Sequence, residues 1–276
     1  MKILYKHLAD RIKNTTSIDE VSEHLIQLGH EHDVENDIFD FEFTPNRGDC
    51  LSINGLLRDL SVFYDINFDI EEYDRDIDPL EINFNNLATS ECPKISFLYI
   101  EIDKVNSNYQ DYLDSYFEEL GIKKNNFFTD ISNYLSYEFG QPTHCYEYQE
   151  IEKDITFSII DDNVSFETLL GTSINLNNKN AVFLSNNKII NLAGVIGGKK
   201  TSCSKSTKSV LVECAYFNPE IIIGKSIKYD INSDAAYKFE RGVDPSSHEK
   251  VLRRFIKIVE DHTSIKQVKL FSKSFI

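Results

Sequence analysis

Three short apolar runs limit what this chain can fold into more than any other feature. The runs are rich in β-branched and aromatic residues, which predicts strands over residues 94–102, 155–160 and 209–217. Helical patterns lie between the first two runs, over residues 109–120 and 126–139. The order mixes hairpins with helices, so we expect an α+β fold with a mixed or antiparallel sheet and helices packed on it.

The front of the chain has a different pattern. Ser17 and Glu20 form a capping box at the start of a helix that Gly29 ends, and Ser52 is placed to cap a second helix. A short strand is expected over residues 38–43, followed by a turn-rich loop. These features predict a small helical module with a little sheet. Its apolar helix positions are Ile18, Val21, Leu25 and Leu28, then Leu56, Leu57, Leu60 and Phe63.

Charge and turn residues suggest how the chain divides. Acidic residues crowd together over 65–81, with Pro79 inside, which is typical of a linker or a solvated crossing. We therefore predict an N-terminal module over 1–75, a second domain over 76–245 and the start of a further helical module over 246–276. Asn186 and Asn187 separate two strand-like runs and predict a hairpin turn.

Composition excludes several classes of protein. The chain has 276 residues, 41% of them hydrophobic, which excludes general disorder. It lacks a stretch long enough to span a membrane and a signal-peptide pattern at its start, so we expect a cytoplasmic protein with no membrane partner. The five cysteines form no C-x-x-C pair, and we expect no metal site.

The net charge of −16 opposes non-specific binding to nucleic acid, because phosphate repels an acidic surface. One segment, residues 221–276, carries more basic than acidic residues, 11 against 7. This segment is either a face for an anionic partner or a solvated helix with a few extra lysines. Any contact with nucleic acid would need such a local face or a partner's help.

Candidate functional side chains lie at the ends of predicted elements. His144 follows a rigid Gln141-Pro142 turn. It is either a surface or core histidine, or a group that holds a hydroxyl or carbonyl or acts as a base. Glu213 lies inside an apolar strand, where it either faces solvent at a sheet edge or is aimed into a pocket. The glycines of the NLAGVIGG segment either end a hairpin or allow a ligand to approach the backbone.

Several motifs in series resemble the β subunit of bacterial phenylalanyl-tRNA synthetase. TPNRGDCLS, at 44–52, resembles the signature of that family's N-terminal module. The later motifs resemble its editing domain, in the right order, and the resemblance extends over about residues 1–262. These motifs are DISNYLSYEFGQPTHCYEYQEI, NLAGVIGG, LVECAYFNP and AAYKFERGVDP.

The resemblance implies an activity and a set of site residues. In that family the editing domain hydrolyses tyrosine wrongly attached to the phenylalanine tRNA, because a phenylalanine pocket excludes tyrosine imperfectly. The resemblance implies that Asn133 and His144 are catalytic, by positioning the substrate or the attacking water. The implied substrate-binding residues are Ser132, Gly197, Glu213 and Ala235, of which Glu213 binds the tyrosine hydroxyl.

The same resemblance sets expectations for cofactors and partners. It implies no cofactor or metal in this chain, since ATP and Mg²⁺ would be used by a partner α subunit. The implied partners are the acceptor end of the phenylalanine tRNA and an α subunit, and no DNA.

The chain also departs from the family pattern. The family's inserted oligonucleotide-binding fold is absent near residues 33–40, and the modules that follow the editing domain have no counterpart. Ala236, Lys238 and Cys214 replace the usual serine, arginine and serine. Two alternatives to an editing enzyme therefore stay open: a non-catalytic tRNA-binding or assembly subunit, and a fragment with no activity alone.

Overall fold

The computed structural model describes residues 1–152 and 154–275. The helices are α1 (Tyr5–Ala9), α2 (Ile18–Gln27), α3 (Ile53–Leu60), α4 (Asp111–Glu118), α5 (Phe127–Phe139), α6 (Lys225–Tyr229), α7 (Asp234–Phe239) and α8 (His248–His262). The strands are β1 (Lys2–Leu4), β2 (His32–Glu35), β3 (Ile38–Phe41), β4 (Asp78–Pro79), β5 (Asn83–Asn86), β6 (Lys94–Ile102), β7 (Thr143–Glu147), β8 (Asp154–Ile160), β9 (Val164–Glu167), β10 (Ser173–Leu176), β11 (Asn180–Ser185), β12 (Lys188–Leu192), β13 (Ile196–Gly197), β14 (Ser209–Tyr216) and β15 (Ile265–Ser274). Among the described helices, none has the length and apolarity that crossing a lipid bilayer requires.

A five-stranded sheet with the order β4-β15-β6-β14-β7 forms the centre of the fold. Strand β14 pairs antiparallel with β6 on one side and β7 on the other, while β4 joins β15 in parallel. Both faces of β6 and β14 are covered, so nearly every residue of these strands is buried. That double burial explains why both strands have continuous apolar sequences rather than alternating ones.

Different layers cover the two faces of this sheet. Helices α5 and α8 pack on the face that carries Leu98 and Val212. A second sheet, with the order β13-β12-β11-β8-β5, packs on the face that carries Phe97, whose ring lies 6.4 Å from that of Phe183. Mixed sheets with helices packed on them confirm the predicted α+β class. The predicted hairpin is also confirmed, because Asn186 and Asn187 both adopt positive φ between β11 and β12.

The N-terminal module combines helices α1 to α3 with a three-stranded sheet, β1-β3-β2. Both predicted caps form, since Ser17 accepts a hydrogen bond from Glu20 N and Ser52 one from Gly55 N. The chain passes directly from β2 to β3 through a tight turn at Asn36 and Asp37. The expected strand over 38–43 is therefore shorter than predicted and belongs to a hairpin.

One residue that the apolar pattern assigns to the second helix lies outside it and at the surface. Helix α3 ends at Leu60, so Phe63 falls beyond the helix and is exposed, with its ring stacked on His24 at 4.0 Å. The helical spacing of the apolar residues does not reveal this end, because Ser61 continues the helical conformation as the C-cap.

The acidic segment and the C-terminal elements attach to the central sheet and its helix. Arg254 of α8 donates to the carbonyl of Glu71 at 3.0 Å, and β4 pairs with β15. Residues 246–276 were expected to begin a separate helical module, but they contain α8 followed by a ten-residue strand that pairs with β6. The helical part of that expectation is wrong for residues 265–274, which form a strand whose residues are half-buried or exposed. The three predicted domain boundaries themselves stay predictions.

Candidate functional site

A cavity of about 790 Å³ opens between helix α5, strand β7, the glycine turn before β13 and helix α7. Five of the six predicted site residues line this cavity: Ser132, Asn133, His144, Gly197 and Ala235. These residues come from three separate motifs of the sequence, so the fold brings together what the sequence keeps apart. A volume of this size accommodates a drug-sized ligand.

A short connection between α5 and β7 positions the first group of site residues. Asn126 caps the start of α5, and Gly140 ends the helix in the left-handed conformation, with φ of 76°. The Oγ of Ser132 then lies 2.8 Å from the carbonyl oxygen of Thr143 and 2.7 Å from its hydroxyl. These contacts fix the start of β7 against α5 and so set the position of His144.

The imidazole of His144 lies in the cavity wall with an unpartnered nitrogen. Its Nε2 is buried and has no hydrogen-bond partner among the described residues. Burial lowers the pKa of His144 to about 4, so the ring is neutral at physiological pH. A neutral imidazole with an unpartnered nitrogen can hold a hydroxyl or a carbonyl.

Gly197 is a glycine because His144 lies directly over it. A Cβ atom at position 197 would lie 2.5 Å from His144 Nε2 and still closer to Cε1. No side chain fits there without moving the ring. The predicted role of Gly197 as a pocket wall therefore has a specific physical form: it makes room for the imidazole.

The other residues of the cavity wall differ in whether their polar groups form hydrogen bonds. Asn133 is half-buried, and no hydrogen bond from the described residues reaches its carboxamide. Ala235 is held close to the glycine turn, because the Oγ of Ser233 donates to the carbonyl of Val195 at 2.7 Å. The carboxamide of Asn133 is thus free to contact a ligand, and the small side chain of Ala235 takes little room from the cavity.

Lys238 is a cavity residue that the sequence reasoning did not select as functional. Its ammonium is buried and donates to the carbonyl of Ser136 at 2.7 Å and to its hydroxyl at 2.9 Å. Burial lowers its pKa, and the nearby Asp234 carboxylate opposes that shift. The lysine therefore joins α7 to α5 across the cavity.

The sixth predicted residue, Glu213, lies behind the cavity rather than in its wall. It pairs directly with His144 across β14 and β7, so the two side chains share one face of the sheet. Glu213 is only 4% exposed and does not belong to the described residues that line the cavity. The sequence left open whether Glu213 faces solvent at a sheet edge. In the structure its carboxylate is buried and does not face solvent.

Glu213 has polar partners of its own. The hydroxyl of Tyr146 donates to its Oε2, and Asn191 Nδ2 donates to the same oxygen at 3.2 Å. Burial raises the pKa of Glu213 to about 7, and these two hydrogen bonds oppose the rise. A buried carboxylate with a strongly raised pKa and no cation beside it is more typical of functional sites than of structural ones.

Two of these neighbours were missed by sequence reasoning. Tyr146 stands two residues after His144 in a strand, and that alternation could have placed it on the same face. Asn191 carries no comparable local signal, because it reaches Glu213 only through the packing of one sheet on the other.

One further cluster contains metal-binding residue types. Ligand atoms of His30, Cys50 and Asp59 lie within 4.8 Å of one another. However, Nη2 of Arg47 lies 2.5 Å from Asp59 Oδ2 and 2.7 Å from Cys50 Sγ, so a guanidinium already supplies the positive charge. We interpret this cluster as an ion-pair network of the N-terminal module.

Comparison with known proteins agrees with the motif resemblance. Residues 91–264 match the family described as the B3/4 domain. The phenylalanine–tRNA ligase β subunit of Fusobacterium nucleatum is 32% identical over 228 residues, which cover 81% of this chain and 28% of that protein. The corresponding β subunit of Francisella tularensis is 30% identical over 233 residues, covering 83% and 29%.

A solved structure is also similar. It is an N-terminal fragment of the phenylalanyl-tRNA synthetase β subunit from Pyrococcus horikoshii, with a TM-score of 0.45 and 11% identity over 100% of this chain and 79% of that one. The present chain spans less than a third of the length of the curated relatives that it matches. The family match covers more than half of the chain: the chain belongs to the B3/4 domain family and is a relative of bacterial phenylalanyl-tRNA synthetase β subunits.

Proposed function

We propose that this chain hydrolyses tyrosyl-tRNA for phenylalanine, the mischarged product of phenylalanine–tRNA ligation, and so supports accurate translation. The observation that carries the proposal is the cavity wall, which contains both His144, whose buried Nε2 has no partner among the described residues, and Asn133, whose carboxamide receives no hydrogen bond from them. Five residues that the motif resemblance assigns to an editing site line this one cavity. An apolar pocket cannot strongly reject a ligand that merely adds a hydroxyl, and a second site that hydrolyses the wrong product solves that problem.

The proposed reaction is hydrolysis of an ester. A water oxygen attacks the ester carbonyl carbon, the bond between that carbon and the terminal ribose oxygen breaks, and the ribose oxygen receives a proton. Asn133 and the neutral imidazole of His144 orient the water and the carbonyl. Because the pKa of His144 is about 4, its proposed role is to hold the reactants rather than to take the proton. The terminal hydroxyl of the tRNA is the proposed relay for that proton.

The proposal assigns no metal or cofactor to this chain. ATP, Mg²⁺ and the activation of phenylalanine belong, in this proposal, to a partner α subunit in the cytoplasm. Because an acidic surface repels phosphate, we assign contacts to the tRNA phosphates to the partner as well. The acceptor end of the tRNA alone would enter the cavity.

The experiment is deacylation of tyrosyl-tRNA and phenylalanyl-tRNA for phenylalanine by the purified chain, with and without an α subunit. We expect faster hydrolysis of the tyrosyl ester. His144→Gln and Asn133→Ala should each lower the rate by about a hundredfold, the usual contribution of a group that positions reactants.

A matched control is available in His248. Its pKa is also lowered to about 4, and its Nε2 is also buried without a partner among the described residues, but it does not line the cavity. His248→Gln should therefore leave deacylation unchanged at a temperature where the variant is folded. Equal losses in both variants, or no hydrolysis with the α subunit present, would contradict the proposal.

A second candidate function is a binding or assembly module without catalysis. The acidic net charge favours it, because an acidic surface repels phosphate and is expected to weaken capture of tRNA by the chain alone. Stable association with an α subunit, together with absence of deacylation by the complex, is the result that would select this alternative.

A further inference from the structure

Two exposed leucines lie at the opening of the cavity. Leu169 and Leu170 follow one another at the tip of the β9–β10 hairpin, and both line the cavity. They are nevertheless 42% and 65% exposed, so their side chains border the opening rather than the interior. A single exposed leucine is common, but two adjacent ones beside a cavity form an apolar surface that the described residues leave largely uncovered.

The tip of this hairpin is tied to the glycine turn that lies under His144. The amide of Leu169 donates to the carbonyl of Gly197 at 2.9 Å, and Thr168 forms an antiparallel bridge with Gly198. Gly197 is the residue that makes room for the imidazole of His144. The backbone hydrogen bonds therefore hold the two leucines in a fixed position relative to the proposed reaction centre.

One part of the proposed ligand has the chemistry that such a surface binds. When the ester lies in the cavity, the terminal ribose still carries its nucleobase and the phosphate that leads to the rest of the tRNA, which stays outside. A phosphate is charged and is bound by cations and hydrogen-bond donors, which two leucine side chains do not supply. The faces of a purine base are largely apolar, and covering them with aliphatic carbon removes both from water. Of these two groups, the nucleobase is the one that fits the leucines.

We infer that Leu169 and Leu170 form the binding surface for the terminal nucleobase of the tRNA, an adenine. This inference rests on the proposed function for the identity of the ligand, and it adds the contact that places the ester. A base held at the opening fixes the ribose, so that the ester carbonyl meets Asn133 and His144 in one orientation. The contact is independent of the attached amino acid and strengthens binding of tyrosyl and phenylalanyl esters alike.

The test measures the binding of two non-hydrolysable compounds. The first is adenosine with its 3′-hydroxyl replaced by an amine that carries tyrosine, and the second is the same compound with hydrogen in place of the adenine. Calorimetry gives both dissociation constants for the native chain and for Leu170→Ala. We expect Leu170→Ala to weaken binding of the first compound by about fivefold, because apolar contact area is lost, and to leave binding of the second unchanged.

Leu87→Ala is the matched control. Leu87 follows β5, is 64% exposed and does not belong to the described residues that line the cavity. This variant should leave both dissociation constants unchanged, and thermal unfolding of each variant shows whether it is folded. Equal weakening of both compounds in Leu170→Ala would overturn the inference, because the leucine would then contact the ribose or the amino acid. Unchanged binding of both compounds would overturn it as well.

The two proposals fail in distinguishable ways. If Leu170→Ala weakens only the compound that carries adenine but the tRNA esters are not cleaved, the proposed hydrolysis is wrong and the base-binding surface stands. If the esters are cleaved but Leu170→Ala does not distinguish the two compounds, the base-binding surface is wrong and the hydrolysis stands. If the native chain binds neither compound, the base-binding surface is wrong, and the deacylation assay decides the hydrolysis separately.

Discussion

Two buried glutamates, in two regions of the molecule, have different kinds of partner: arginines in one case and uncharged side chains in the other. Glu138 lies on α5 at the junction with the N-terminal module, 1% exposed, and its two oxygens meet Arg11 at 3.3 Å and Arg254 at 3.2 Å. Glu213 lies between the two sheets, and no cation contacts its carboxylate within the described residues; its partners are Tyr146 and Asn191. The carboxylate of Glu138, which joins two layers, is paired with guanidinium groups. The carboxylate of Glu213, which lies beside the cavity, has no such counter-charge to hold it ionised.

The largest expected effect on stability concerns Glu138, the glutamate that is paired with arginines. Glu138→Gln leaves Arg254 buried without its counter-charge, which typically costs about 3–5 kcal/mol. Denaturant unfolding of the variant gives this difference. A cost below about 1 kcal/mol would show that water reaches the arginines, and the contrast between the two glutamates would then disappear.

The second prediction concerns the pH dependence of stability. The pKa of Glu213 is about 7 when folded against an ordinary value of 4.5, so the folded state binds more protons than the unfolded state between these values. Stability attributable to this group therefore falls as pH rises from about 4.5 to about 7, by about 3 kcal/mol.

Glu213→Gln removes this titration. We expect the free energy of unfolding of the variant, relative to the native chain, to rise by that amount across the same pH window. Denaturant unfolding at pH 5, 6, 7 and 8 measures it. A difference that is independent of pH would mean that burial does not raise the pKa of Glu213.

The third prediction tests the close approach of the His144 ring to Gly197. Gly197→Ala forces a methyl group onto the imidazole and should destabilise the fold by about 1–3 kcal/mol. Combining it with His144→Ala should recover most of that loss, since the clash is with this ring alone. A double-mutant cycle of unfolding free energies measures the coupling, and additive losses would place the strain elsewhere.

The smallest effect is expected at the surface of α8. Arg253 and Glu249 form an exposed pair at 3.0 Å, in which Glu249 is 72% exposed. Glu249→Ala should change the unfolding free energy by at most about 0.5 kcal/mol. A larger change would mean that burial is not what distinguishes Glu138 from other paired carboxylates.

The sequence was most informative where a pattern is local. The helices with capping serines, the Asn186-Asn187 hairpin and the strand with Glu213 at its centre were all predicted from neighbouring residues. The motif resemblance also selected five residues that line one cavity. Strand β15 was not predicted, because its polar sequence becomes a strand only by pairing with β6.

The partners of Glu213 could not be predicted for a related reason. Sequence shows that a carboxylate lies in an apolar strand, but not which group from another strand meets it. Tyr146 lies 67 residues away and Asn191 lies 22 residues away, so the cluster exists only after three strands have come together.

This separation along the chain has a consequence for folding. Ser132 and Thr143 are joined across 11 residues, so the half of the cavity built on α5 and β7 can form early from a nearby contact. The opposite half depends on closing longer loops, such as the one that joins Ser136 to Lys238, which are 102 positions apart in the sequence. In a newly made chain, the part of the cavity wall that contains His144 should therefore form first. The cavity should be complete only in the last folding steps.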